Sequence, residues 1–354
     1  MSKTLNIALI GQGFMGRAHS NAYCQAPHFF NLPFDLHRKV ICGRNRDSLA
    51  RMASTWGWDE TATDWRAVVD RPDIDVVDVA TPNVLHAEIA IAAAHAGKIV
   101  FCEKPLAVSV EEGARMVDAV RGVRNMVWFN YRRTPGMAFS RKLITEGRLG
   151  QVFHYRGTYL QEWGNDPTRP PGWKTSKAEA GSGVLGDLMS HAVDAALYLN
   201  GPIREVSAMM HTFAAGRDVD DATLLLARFE NGSLGSLEAT RYAVGCRNQN
   251  RFEIHGSKGM LRFNLEELNH VEFFDATGSR EMEGPRRLLV SNEFWKPGHV
   301  VGYDHTFVNA LADFLRAMAA REPFHPDFAD AQRVQEVLHA AEISARKREW
   351  TVVR

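Results

Sequence analysis

Net charge is the first thing this sequence lacks: 42 Lys and Arg balance 42 Asp and Glu over 354 residues. An even balance supplies no long-range field to draw in DNA, RNA or an anionic membrane. The Arg132-Arg133, Arg286-Arg287 and Arg346-Lys347-Arg348 clusters are short and read as solvated surface. Cysteine is scarce too. Cys24, Cys42, Cys102 and Cys246 form no CxxC pair. Cys42 and Cys102 lie in apolar strand-like runs, as small buried hydrophobes of a reducing compartment do. No zinc-ligand spacing emerges from the cysteines and the 14 His, so no metal is expected. Runs of about 18 uncharged apolar residues are also missing, so no membrane span is expected. Met1-Ser2-Lys3-Thr4 leads straight into an apolar segment without the pattern of a secretory leader, and a cytoplasmic location is expected.

What is present is a chain long enough for two domains. In the first third, strand-like runs at 5–10, 39–42, 75–80, 98–102 and 125–129 alternate with helical segments at 16–26, 47–56, 64–70, 85–96 and 109–120. That rhythm means a parallel sheet with right-handed crossovers. Residues 28–36, aromatic and Pro-containing, read as an irregular link. The pattern changes after about residue 130. A helix at 136–146 leads into a run rich in Tyr, Phe and Thr at 152–163, a Pro-rich loop at 166–173 and a helix at 186–199. Segments 206–213, 222–229, 233–241, 250–255, 260–263 and 271–274 read as consecutive antiparallel strands, with turns at Asn231-Gly232 and Gly256-Ser257-Lys258-Gly259. Helices at 304–320 and 327–347 close the chain.

Gly11-Gln12-Gly13-Phe14-Met15-Gly16 follows the first strand and opens the first helix. Gly11 permits the tight turn, Gly13 lets a pyrophosphate approach the backbone, and Gly16 lets the helix pack close to the sheet. The N–H groups at the helix start then face the phosphates. The fold expected is therefore an α/β N-terminal Rossmann domain, 1–130. An α+β C-terminal domain, 131–354, follows, with a large open, mainly antiparallel sheet; its last helices have the option of packing back on the first domain. At the end of the second strand an NAD site usually carries Asp or Glu for the ribose 2′-OH. This chain has Gly43-Arg44, and Arg44 suits a 2′-phosphate or the face of an adenine. The cofactor is NAD or NADP, with NADP slightly favoured.

Three further groups sit where chemistry is expected. Thr81-Pro82-Asn83 and Glu103-Lys104-Pro105 each follow a parallel strand, at the edge where open α/β sheets bind ligands. Asp187 and His191, four apart, share one helix face. A His titrates near neutrality and suits a base, and a neighbouring carboxylate would orient it. Each group also has a plain structural reading: a helix start, a surface lysine, a solvent stripe.

Taken together these residues resemble the Gfo/Idh/MocA family of sugar and polyol oxidoreductases, over nearly the whole chain. Residues 130–135, 158–163 and 180–187 look like the branches acting on anhydrosugars and, more distantly, inositols. The resemblance implies catalytic roles for Lys104, Asp187 and His191. It also implies cofactor contacts from Gly11, Gly13, Phe14, Met15, Gly16, Gly43, Arg44, Thr81, Pro82, Asn83, His86, Glu103, Lys104 and Asn130. Tyr131, Arg132, Trp163 and Trp173 are candidates to line the sugar site. The implied activity is hydride transfer between the nicotinamide and a secondary alcohol or ketone of a cyclic sugar, anhydrosugar or polyol. A homodimer or homotetramer through the C-terminal sheet is implied as well. Two other readings stay open: a glycoside-cleaving enzyme that oxidises its substrate transiently on a retained NAD, and a non-catalytic sensor that binds cofactor.

Overall fold

The computed structural model describes residues 3–166, 168, 170, 172–278 and 284–354. Part of the expected loop at 166–173 thus lies outside the described residues. The chain forms two compact units: 1–130 with 303–333, and 131–302 with 334–354.

The first unit is built on a six-stranded parallel sheet in the order β3-β2-β1-β4-β5-β6. Its strands are β1 (Lys3–Ile10), β2 (Phe34–Cys42), β3 (Glu60–Ala62), β4 (Val76–Val79), β5 (Ile99–Cys102) and β6 (Asn125–Val127). The helices are α1 (Phe14–Phe29), α2 (Arg46–Trp56), α3 (Trp65–Val69), α4 (His86–His95) and α5 (Val110–Ala119). The central strands are buried on both faces, as parallel strands between helix layers must be, and read Ala8-Leu9-Ile10 and Val76-Val77. Local signals fix the helix ends. Asn45, Asp64 and Ser109 each cap a helix through a side-chain oxygen, and Gly57 closes α2 in the left-handed region.

The expected irregular link at 28–36 is replaced by structure. Helix α1 runs through Pro27 to Phe29, and β2 begins at Phe34. Pro27 lies in the last turn and has no N–H for Tyr23 O, which accepts instead from Arg38 Nη1 at 3.5 Å. Strand β2 extends to nine residues because it pairs with all of β1, from Lys3 opposite Phe34 to Ile10 opposite Cys42.

The second unit carries a nine-stranded sheet, order β14-β13-β12-β11-β7-β10-β9-β8-β15. These are β7 (Val152–Leu160), β8 (Ile203–His211), β9 (Ala222–Phe229), β10 (Leu234–Thr240), β11 (Gln249–Gly256), β12 (Gly259–Asn264), β13 (His270–Asp275), β14 (Arg286–Leu289) and β15 (Thr351–Val352). Helix α6 (Pro135–Thr145) precedes β7, and α7 (Lys177–Ala180) and α8 (Ser190–Asn200) precede β8; α9 (Tyr303–Ala320), counted in the first unit, and α10 (Phe328–Lys347) lie between β14 and β15 in the chain. Strand order corrects the consecutive meander. Strand β7 lies between β10 and β11, parallel to the first and antiparallel to the second. Residues 241–248 are not a tight hairpin turn, so β10 and β11 are not held together and an earlier strand occupies the gap. Along β9, Leu225, Ala227 and Phe229 are buried while Leu224 and Leu226 are exposed, so the sheet has one packed face and one open face.

The expected helix at 186–199 starts differently. Residues Leu185–Met189 form a π-helical turn ahead of α8. The Asp220 carboxylate accepts from Gly183 N and Leu185 N, both at 2.7 Å, and so anchors this turn. A Cβ on Gly183 would lie 1.9 Å from Asp220 O, so glycine is required there.

Candidate active site

In the first unit the β1–α1 turn is shaped for a dinucleotide. Gly11 has φ +132°, and a Cβ there would lie 2.2 Å from Ala80 O; at Gly16 it would lie 2.3 Å from Gly11 O. Gly13 is the opposite case, with nothing within 4 Å of its Cβ position. Helix α1 starts there with no side-chain cap and no acid in its first turn. Exposed Gly13, uncapped N–H groups and an uncompensated helix N-terminus together suit a pyrophosphate. Phe14 is exposed and Met15 half-buried beside this turn. Half-buried Thr81 carries a buried hydroxyl with no hydrogen-bond partner, at the carboxyl end of β4. A nicotinamide dinucleotide fits this edge.

The loop after β2 is held differently from expectation. A Cβ on Gly43 would lie 2.1 Å from Gln12 Oε1. The Gln12 amide bridges the loop, accepting from Asn45 N (3.1 Å) and donating to Asn45 O (3.2 Å). Gly43 is therefore explained by Gln12 and says nothing of a 2′-phosphate. Arg44 is exposed.

Several expected cofactor contacts are engaged inside the protein. His86 is fully buried, its ring nitrogens 3.0 Å from Thr81 O and Pro105 O, so it braces both ligand-edge loops from beneath. Burial holds its pKa below the usual value. Asn83 is buried at the start of a 3₁₀ turn that follows Pro82. Asn130 donates to Thr306 Oγ1 at 2.8 Å. Glu103 accepts from Lys104 N (3.0 Å) through one oxygen and faces His19 Nε2 (3.0 Å) through the other. Lys104 is half-buried and its peptide bond to Pro105 is cis.

The His19 contact belongs to a network that the sequence reading missed. His19 Nδ1 faces Asp78 Oδ2 at 2.9 Å; the Asp78 carboxylate also accepts from Tyr23 Oη (2.8 Å) and Trp128 Nε1 (3.0 Å). Both ring nitrogens of His19 face carboxylates. Burial opposes the charged ring, but Asp78 and Glu103 outweigh it and push the pKa up to about 9.

In the second unit, buried His191 packs against Tyr131 (centroids 4.6 Å apart) and Tyr159 (5.7 Å). A hydrogen-bond chain continues from these rings. The Tyr131 and Tyr159 hydroxyls are 3.0 Å apart, Tyr159 and Gln161 both donate to Asn248 Oδ1, and Trp163 Nε1 donates to Gln161 Oε1 at 2.6 Å. The Asp187 carboxylate meets Lys174 Nζ at 2.9 Å and Arg241 Nη2 at 3.1 Å. Arg241 is completely buried, bonds Lys174 O and Gly183 O, and lies under the Trp163 ring at 4.6 Å. Lys174, Arg241, Gln161 and Asn248 were not singled out from sequence. Trp173 is half-buried, with Lys174 Nζ 5.7 Å from its ring centre.

The solvent-stripe reading of the Asp187 helix fails, because Asp194 lies inside the fold. Its carboxylate takes a bidentate bond from Arg132, with contacts of 2.6 and 3.1 Å. That pair holds the Arg132 guanidinium to the protein through Nε and Nη2. Three possible metal-ligand groups do lie close together, on His325, Asp327 and Asp330. Asp330 N donates to Asp327 and Asp327 N to Asp330, which makes the two acids a cap for α10.

A parallel sheet with an uncapped glycine turn at its ligand edge, joined to a sheet unit holding a buried His and a paired Asp, defines a nicotinamide-type oxidoreductase. The chain belongs to the Gfo/Idh/MocA family. Residues 5–131 match the description "Oxidoreductase family, NAD-binding Rossmann fold", and residues 137–262 match the "GFO/IDH/MocA C-terminal domain". It is 41% identical to levoglucosan dehydrogenase of Pseudarthrobacter phenanthrenivorans, over 99% of this chain and 98% of that one. A solved levoglucosan dehydrogenase in complex with NADH superposes with a TM-score of 0.97 at 43% identity, covering 99% and 100% of the two chains. Myo-inositol 2-dehydrogenase of Thermotoga maritima is 27% identical over 90% of each chain. No described helix is long and apolar enough to cross a membrane.

Proposed function

We propose that this enzyme transfers hydride between a nicotinamide cofactor and a ring carbon of a cyclic sugar, anhydrosugar or polyol that carries a secondary alcohol or ketone. The observation that carries the reading is His191, buried against two tyrosines on the helix that follows the turn holding the doubly paired Asp187. The cofactor, when bound, accepts or returns the hydride at its nicotinamide ring. His191 takes the hydroxyl proton in the oxidative direction, and the Tyr131–Tyr159 pair fixes its ring. Asp187 anchors the start of that helix and offers its carboxylate to a substrate hydroxyl. Lys104 donates to the reacting oxygen and stabilises the charge that develops on it. Tyr131 and Trp163 supply aromatic surface for a sugar's C–H face, and Trp173 extends it.

The NAD(H) named with the structural relatives supports NAD as the cofactor, with Arg44 lying over the adenine rather than pairing a 2′-phosphate. A homodimer or homotetramer through the open face of the second sheet is supported by the exposed Met209, Leu224, Leu226 and Leu234. The test is a panel of free sugars, anhydrosugars and inositols, each with NAD and NADP, followed by absorbance of the reduced cofactor. Lys104→Ala and His191→Ala are each expected to lose at least 100-fold in kcat on the best substrate, a loss of the size general acid–base catalysis supplies. Full turnover in both variants refutes the reading. Arg44→Ala is expected to change kcat/KM for NAD less than tenfold; a larger loss confined to NADP would reverse the cofactor assignment.

A further inference from the structure

The least expected feature of the first unit is the ionic cluster sealed beneath its ligand edge. His19, Asp78 and Glu103 are all buried, His19 and Asp78 completely. They come from three elements: the dinucleotide helix α1, strand β4 and the end of β5. Asp78 interrupts Val76-Val77-Asp78-Val79, which pairs with strands on both sides. A carboxylate there would be severely destabilising without partners, and it has three donors: the His19 ring, Tyr23 and Trp128. The groups facing His19 are Asp78 from β4, Glu103 from the end of β5, the Trp128 ring stacked at 4.3 Å, and the Phe307 ring of α9 at 5.7 Å; Tyr23, on its own helix, shares Asp78.

The ring's second nitrogen is what gives the cluster a direction. Satisfying Asp78 uses Nδ1 alone. Nε2 is spent on Glu103, whose other oxygen holds the backbone N–H of Lys104. A continuous path thus runs from α1 through His19 and Glu103 to the lysine loop.

We propose that His19 is a positioning residue, a cationic bridge from the dinucleotide helix that fixes Glu103 and through it the Lys104 loop. The proposal rests on the role given to Lys104 above. When His19 carries both ring protons, each nitrogen donates to a carboxylate; a neutral ring would turn a lone pair against one of them. Glu103 then has one oxygen committed to His19 and one to Lys104 N, so its carboxyl plane is set and with it the direction in which Lys104 leaves the strand.

Two substitutions separate positioning from simple support. The Asn side-chain amide stands near the Nδ1 position and keeps a donor for Asp78; the longer Gln amide stands near Nε2 and keeps a donor for Glu103. His19→Asn is expected to lower kcat at least tenfold, with NAD affinity and substrate KM within threefold of wild type. His19→Gln is expected to recover most of kcat. Equal kcat in the two variants, or a parallel loss of kcat and NAD affinity in both, overturns the proposal. Should His19→Asn fail to fold, Glu103→Gln serves instead: at least a fivefold loss of kcat at unchanged KM is expected, and wild-type kcat overturns the idea. Lys104→Met separates the two levels. Wild-type kcat in that variant removes the lysine's role and this proposal with it, whereas its loss together with wild-type kcat in His19→Asn refutes the bridge alone.

Discussion

Arg241→Met removes the guanidinium and leaves a shorter, unbranched apolar side chain in the same sealed space. Arg241 is completely buried, bonds Asp187, Lys174 O and Gly183 O, and lies under Trp163. Breaking a buried ion pair from one side costs about 3–5 kcal/mol, because the remaining charge is left uncompensated. The lower end applies here: Asp187 keeps Lys174, and its side chain is 14% exposed. The lost contact with the Trp163 ring adds about 1 kcal/mol. The expected loss is therefore about 4 kcal/mol, a large share of the ~5–15 kcal/mol that holds a domain together. Urea unfolding of wild type, Arg241→Met, Asp187→Asn and the double variant measures it as a cycle. If the charge pair dominates, the double variant is more stable than the sum of the single losses implies, by about 1–3 kcal/mol. A single loss under about 1 kcal/mol, or additivity within about 0.5 kcal/mol, refutes the assignment of Arg241 as the anchor of Asp187.

His19 makes stability fall on the alkaline side. Its pKa is raised from 6.5 to about 9 in the fold, so its contribution is complete below pH 6.5 and is lost as pH rises through about 9. That shift corresponds to about 3 kcal/mol, seen as a drop in urea-unfolding free energy between pH 6.5 and 9.5 that is absent in His19→Gln. Gly11→Ala and Gly13→Ala should separate folding from binding. The first forces a Cβ to 2.2 Å from Ala80 O and is expected to abolish soluble expression. The second meets nothing within 4 Å, so Tm should hold within about 2 °C while NAD affinity, read by calorimetry, falls at least tenfold. Leu226→Glu places a charge on the exposed face of β9. It should shift the sedimentation coefficient to that of a single chain, and an unchanged oligomer would exclude this face as the interface.

Much of the fold was legible because local signals repeat. The short apolar segment at 222–229, with the Asn231-Gly232 turn after it, matches the observed strand β9. The glycine turn was legible because Gly11 and Gly16 have steric reasons that no other residue satisfies. Short edge strands were not: β3, β14 and β15 have four residues or fewer, and two alternations make no period. The place of β7 was hidden for a different reason. Pairing order is a property of the whole sheet, and each strand's pattern only says which face is buried.

The candidate site residues divide along the same line. Lys104, Asp187 and His191 stand in short motifs; Arg241 and His19 do not, because their partners are distant in the chain. Arg241 is 54 residues from Asp187, and His19 is 84 from Glu103. Yet the His19 cluster left a trace. Asp78 interrupts an all-valine strand and Glu103 closes Ile99-Val100-Phe101-Cys102, and carboxylates inside buried parallel strands demand a cation or several donors. Positions 19, 22, 23 and 26 form one helical stripe, three of them Ala, Tyr and Ala, and all four are buried. A histidine on the buried stripe of α1, the helix that opens at the glycine turn, is the natural partner for both acids. The same demand for compensation, applied to Asp187, calls for Lys174 and Arg241. An unexplained charge in an apolar strand or helix is thus evidence for a partner even when the sequence offers no motif to name it.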